Sequence, residues 1–96
     1  MLIDALHNRK AEIEAEALRF GARRIRVFGS VSRGEETADS DVDFLVDLPD
    51  GYDMFAQRLP LAEKLTELTG RRVDLIPEHE LSQHIRDRVL REARDL

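Results

Sequence analysis

The first twenty positions place apolar residues at helical spacing. Leu2, Leu6, Ile13, Ala17 and Phe20 fall near one face, Arg9, Glu12 and Glu16 lie elsewhere, and Gly21 follows as a stop. Residues 2–20 therefore read as one amphipathic helix. At Arg24 the period changes. Arg24 to Phe28 alternates charged and apolar side chains, the pattern of a strand with one wet face. Gly29 breaks that strand, Ser30 to Gly34 reads as a short helical turn, and Glu35 to Ser40 as a polar loop. Val42 to Leu48 is apolar on both faces except for its acids, which predicts a strand in the middle of a sheet.

The second half repeats this alternation of periods. Leu48-Pro49-Asp50-Gly51 is a turn signature, because Pro fixes φ and Gly permits a positive one. Asp53 is placed to cap a helix from Met54 to Thr69, buried through Phe55, Leu59, Ala62, Leu65 and Leu68. Pro60 inside that stretch predicts a kink or a later start near Leu59. Gly70 ends the helix, Arg72 to Ile76 reads as a third strand stopped by Pro77, and Glu78 to Arg94 as a last helix using Leu81, Ile85, Val89 and Ala93. Helices and strands thus alternate, and no internal repeat or low-complexity segment interrupts them.

Composition narrows the class. Ninety-six residues, 42% apolar and 36% charged, suit one soluble globular domain over residues 1–96 with a modest core. No apolar run approaches the roughly 20 residues that cross a bilayer, so no membrane partner is expected. The charged first twenty residues lack an apolar signal core, so no secretion is expected. The absence of cysteine rules out disulfides and thiolate metal sites and agrees with a cytoplasmic setting. A net charge of -5 argues against direct nucleic-acid binding. The distribution says more: Gly34 to Gln57 holds eight acids and no Lys or Arg, while the arginines cluster at 23–26, 71–72 and 86–94. Such charges read as solvated surface or as a face for a charged protein partner.

The candidate chemistry sits between Phe28 and Val46, FGSVSRGEETADSDVDFLV. Alternate residues of a strand share a face, so Asp41 and Asp43 project together from an otherwise apolar segment. Two carboxylates there repel each other and resist burial, which points to a divalent cation. The alternative is a pair of exposed acids on an edge strand. Asp74, in Val73-Asp74-Leu75-Ile76, is a further acid in an apolar strand, either a third ligand or a solvent-facing carboxylate. Gly29 and Ser30, at a strand end opening a helical turn, are backbone able to approach a phosphate. Arg33 can pair with a phosphate, or neutralise Glu35 or Glu36. Ser40 can bond the loop backbone or orient Asp41. His7, His79 and His84 lack mutual ligand spacing and read as surface residues. Tyr52 reads as structural, with stacking on a base as its alternative. Metal plus phosphate points to nucleotide chemistry.

Taken together, these residues resemble the minimal nucleotidyltransferases (MNT domains) of the DNA polymerase beta superfamily. The family pattern is Gly-Ser, ten residues, Asp-x-Asp and a later strand aspartate. Here it is met by Gly29-Ser30, Val31 to Ser40, Asp41-Val42-Asp43 and Asp74, with the surrounding Ser30 to Gly34 and Ser40 to Val46 also matching. The resemblance covers nearly the whole chain and implies an α/β (α+β) fold, a small mixed sheet flanked by helices. It implies ATP as substrate and two Mg²⁺ ions, held by Asp41, Asp43 and Asp74, with Gly29 and Ser30 on the phosphates. It also implies a partner: many such domains look like antitoxins of HEPN-domain ribonuclease toxins and transfer AMP to a toxin tyrosine. A binding-only antitoxin that neutralises by occlusion, and a small-molecule enzyme of the aminoglycoside-modifying type, are the competing expectations.

Overall fold

The computed structural model describes residues 1–96. Its centre is a four-stranded mixed sheet of β1 (Ile25–Phe28), β2 (Val42–Val46), β3 (Val73–Pro77) and β4 (Arg94–Asp95), in the order β3-β2-β1-β4. β1 pairs antiparallel with β2 and β4, and β2 pairs parallel with β3. β2 is therefore central, as its two apolar faces require. The helices are α1 (Leu2–Asn8), α2 (Lys10–Arg19), α3 (Gly29–Arg33), α4 (Leu59–Thr69) and α5 (Gln83–Glu92). None is long and apolar enough to cross a membrane.

The strand period divides the side chains between two faces. Ile25, Val27, Val42, Phe44, Val46 and Leu75 enter the larger cluster of 15 buried residues, where Leu6, Ile13, Ala17, Leu61 and Leu65 from α1, α2 and α4 cover them. The alternate residues Phe28 and Leu45 join Leu81 and Val89 in a cluster of four under α5. Asp41, Asp43 and Asp74 share the parity of this second, thinly covered face. Apolar burial there is slight because the strands spend those positions on acids and on Arg26, which donates to Glu78 at 2.6 Å.

Three helical expectations need correction. The single helix over 2–20 is two, broken at Arg9, within a run from His7 to Glu12 that offers the core no large apolar side chain. The helix expected from Met54 begins as a π turn, Met54–Arg58, capped by the Asp53 carboxylate accepting from the Phe55 and Ala56 amides at 2.8 and 2.9 Å. Pro60 then lies in the first turn of α4, whose start at Leu59 is the later start that this proline predicts. The wider π turn shifts the helical phase, so Phe55 and Leu59 are 81% and 45% exposed and Leu61 takes the buried position instead. The last helix is shorter than Glu78 to Arg94: Glu78–Glu80 is a 3₁₀ turn, Leu81 is extended, and Ala93 releases the chain into β4. Ile85 is consequently left at the surface.

Beyond β2 the loop is pinned to the segment after β3. Arg58 donates to the Leu75 carbonyl at 3.1 Å, to the Tyr52 hydroxyl at 2.8 Å and to Glu80 at 3.1 Å, and the Tyr52 hydroxyl donates to Glu80 at 2.5 Å. Tyr52 is thus structural, at the end of the strands away from Asp41.

Candidate active site

The site forms where β1 ends and β2 begins. Phe28 opposes Asp43 across the antiparallel pair, and Asp43 opposes Asp74 across the parallel pair. One register therefore brings the Gly29 turn, Asp43 and Asp74 to the same end of the sheet, with Asp41 two residues before Asp43. Gly29 is obligatory here on two grounds. Its φ is +71°, and a Cβ would stand 2.2 Å from Asp43 Oδ2. The turn is pressed directly against the carboxylate, a packing that only the missing side chain allows.

Asp43 is half-buried, and its carboxyl is pushed up to about 6 by burial first, then by the charges of Asp74, Asp41 and Glu92, with Arg33 opposing. Asp41 and Asp74 are exposed. Asp41 accepts an ion pair from Arg72 Nε at 3.1 Å, so its negative charge is already partly met by a cation of the chain. No three acidic or imidazole groups converge as a finished metal cage. The donor chemistry nevertheless fits a hard divalent cation: all three are carboxylates, and a cation between them would relieve the repulsion that adds to the effect of burial on Asp43.

The remaining candidates divide between the phosphate side and the loop. Arg33 is exposed on α3 and pairs with Glu35 at 3.0 Å and Glu92 at 2.9 Å, whereas Glu36 accepts instead from the Leu2 amide at 2.9 Å. Ser30 is half-exposed in the first turn of α3, and its carbonyl accepts from the Glu35 amide at 2.8 Å. Gly34, with φ of +72°, ends that helix. The Ser40 hydroxyl accepts from the Thr37 amide at 2.8 Å, which ties the polar loop to itself. Beside it Arg71 donates to the carbonyls of Thr37 and Ser40 at 2.8 and 3.3 Å. Ser40 and Arg71, with Ala38, Asp39, Asp41, Gly70 and Arg72, line an open cavity of about 340 Å³ that reaches Asp41 from the loop side.

Two members of the site were not legible beforehand. Arg72 read as surface charge; its partner Asp41 lies 31 positions away and meets it only because β2 and β3 are parallel neighbours. Glu92 falls within the expected last helix and carries no signal of its own. It comes to Gly29 and Arg33 through the packing of α5, and no local spacing signals that approach. The histidines stand apart from the site. His7 contacts the Leu96 carbonyl, His79 faces Asp50 at 3.4 Å, and His84 is exposed on α5.

Comparison with known proteins agrees with this geometry. Over 75 residues the chain is 47% identical to the protein adenylyltransferase MntA of Thermococcus cleftensis, covering 78% of this chain and 75% of that protein. A solved structure described as a minimal nucleotidyltransferase superposes with a TM-score of 0.86 at 41% identity, over 100% of this chain and 97% of the other. A toxin–antitoxin crystal structure with AMP-PNP matches with a TM-score of 0.67 at 27% identity, over 85% of this chain and 70% of that one. The family model of the nucleotidyltransferase domain matches residues 10–96. Such a match spans the turn, all three aspartates and every strand of the sheet: the chain belongs to the nucleotidyltransferase domain family.

Proposed function

We propose that this chain is a cytoplasmic, single-domain protein adenylyltransferase that moves AMP from ATP to a hydroxyl, a tyrosine, of a HEPN-type ribonuclease toxin and so acts as its antitoxin. The observation that carries the reading is the register at the site, which sets Asp43 beside Asp74 and presses the Gly29 turn against Asp43. The adenylyltransferase relative and the toxin–antitoxin structure with AMP-PNP support the acceptor class and the nucleotide.

Asp41, Asp43 and Asp74 would hold Mg²⁺, as two ions. When bound, Mg²⁺ supplies charge neutralisation for the triphosphate and polarises the attacking hydroxyl. The chain's own residues do the rest. The Gly29 N–H, the Ser30 hydroxyl and Arg33 hold the phosphates, and Ser40 keeps the loop before Asp41 in place. Asp74, the exposed acid on the open side of β3, receives the acceptor's proton. As the acceptor oxygen bonds to the α-phosphorus, the bond from that phosphorus to the bridging oxygen breaks and pyrophosphate leaves. Catalysis on this reading is positioning plus neutralisation of charge.

The test is incubation of the chain with ATP, Mg²⁺ and its partner toxin, read by mass spectrometry. The expected result is the mass of one AMP on a toxin tyrosine, absent with Asp41→Ala together with Asp43→Ala. Modification by that double variant would overturn the site assignment. Undiminished toxin inhibition by the variant, with no modification by the wild type, would make the chain an antitoxin by occlusion.

A further inference from the structure

The last turn of α5 carries an acid where helix electrostatics disfavour one. Glu92 is the final residue of α5, at the end where unpaired carbonyls concentrate negative potential. Its carboxylate turns inward. Oε2 accepts from the Gly29 N–H at 3.2 Å and Oε1 from the Arg33 guanidinium at 2.9 Å, with the side chain 17% exposed. The backbone is fixed independently of these bonds. The Glu92 carbonyl accepts from the Ser32 hydroxyl at 2.5 Å, and the next residues pair with β1. The carboxylate can therefore leave its two donors by side-chain rotation while the chain stays in place.

Those donors are the ones the proposed reaction offers to phosphate, so the inference rests on that reading. We propose that Glu92 is a specificity-determining residue of the phosphate seat, an internal carboxylate that a polyphosphate must displace and that selects against polyphosphates carrying no cation. The single Gly29 N–H cannot serve two anions at full strength, and the Arg33 guanidinium already divides its donors between Glu35 and Glu92. Once displaced, Glu92 stays tethered near the ligand, beside Asp43. Repulsion there scales with the ligand's charge, so a metal-free triphosphate is penalised more than its cation complex. Glu92 also returns to its donors as pyrophosphate leaves and opposes rebinding. A residue that merely held Arg33 in place would have the opposite effect on removal.

The experiment is calorimetric titration of the full chain and of Glu92→Gln with inorganic tripolyphosphate and with AMP-PNP, each with and without Mg²⁺. For Glu92→Gln, binding of metal-free tripolyphosphate is expected to tighten about tenfold, the scale of one charged hydrogen-bonding competitor removed. With Mg²⁺ the gain is expected to be smaller, about threefold by the same Coulomb argument. Equal or weaker binding by Glu92→Gln, a gain that ignores Mg²⁺, or no tripolyphosphate binding by either protein would each overturn the assignment. Should the variant fail to fold, the wild type decides: the ¹³C resonance of the Glu92 carboxyl must move as tripolyphosphate is added, and a static resonance rejects the displacement. A wild type that binds tripolyphosphate but not AMP-PNP would break the adenylyltransferase reading and leave the role of Glu92 standing.

Discussion

The same strands build two unlike faces. Toward α1, α2 and α4 the sheet presents Ile25, Val27, Val42, Phe44, Val46 and Leu75, sealed in a cluster of 15 residues. Toward α5 it presents Arg26, Phe28, Asp43, Leu45 and Asp74, and only four residues close into an apolar cluster. Burial of apolar area stabilises at roughly 25 cal/mol per Å², so the first face carries the fold. The second can then hold carboxylates that repel one another, because little of the protein's stability depends on it. Stability and chemistry are separated by one residue of strand period, and a one-residue slip in β2 would exchange them.

The sharpest way to break this comparison is at Asp43. Asp43→Asn should lower AMP transfer by about a thousandfold or more, the scale of removing one principal electrostatic group, while the circular dichroism spectrum stays unchanged. Loss of fold together with activity would mean that the α5 face also supports the structure. Leu61→Ala, on the opposite face, should cost about 2–5 kcal/mol in chemical denaturation through the cavity it leaves. Transfer per folded molecule should stay near wild type.

Gly29→Ala joins the two properties. Its Cβ meets Asp43 at a positive φ, so a loss of about 1–3 kcal/mol is expected, with nucleotide binding weakened in the same variant. Asp43 also predicts a pH effect. Its carboxyl is raised from 3.8 to about 6, so between those values the folded state binds more protons than the unfolded one. Metal-free stability should therefore fall as pH rises through that window and stay low above it. Since Asp43 is only half-buried, the discounted effect is about 1–2 kcal/mol. It should be absent in Asp43→Asn melts, and a pH-independent wild type would contradict it. The smallest effect belongs to Phe55→Ser, outside both faces, which should change stability by less than about 0.5 kcal/mol.

The central strand and the acids were readable because both are local. Val42 to Val46 is apolar at every position but Asp43, and the Gly29 break precedes the acids by a fixed length of chain. The first helix was misjudged because Leu6 and Ile13 share a face in a straight helix, so their periodicity cannot reveal a break at Arg9. Phe55 was misplaced because a single π turn changes the phase of everything beyond it. β4 was invisible: two residues, Arg94 and Asp95, have no pattern of their own and become a strand only by lying against Val27 and Arg26. Glu92 owes its position to that same late pairing, which is why the α5 side of the site was the least legible part.

The bond from Arg58 to the Leu75 carbonyl reaches beyond the loop it secures. β3 is one border of the sheet, and a border strand with free backbone groups invites another chain to zip onto it. Here a guanidinium already occupies one of those groups and Pro77, which has no amide proton, closes the row. At the other border stands β4, only two residues long. Neither margin offers a long unbroken row of free backbone groups, which disfavours both strand addition and self-templated polymerisation at the sheet edges.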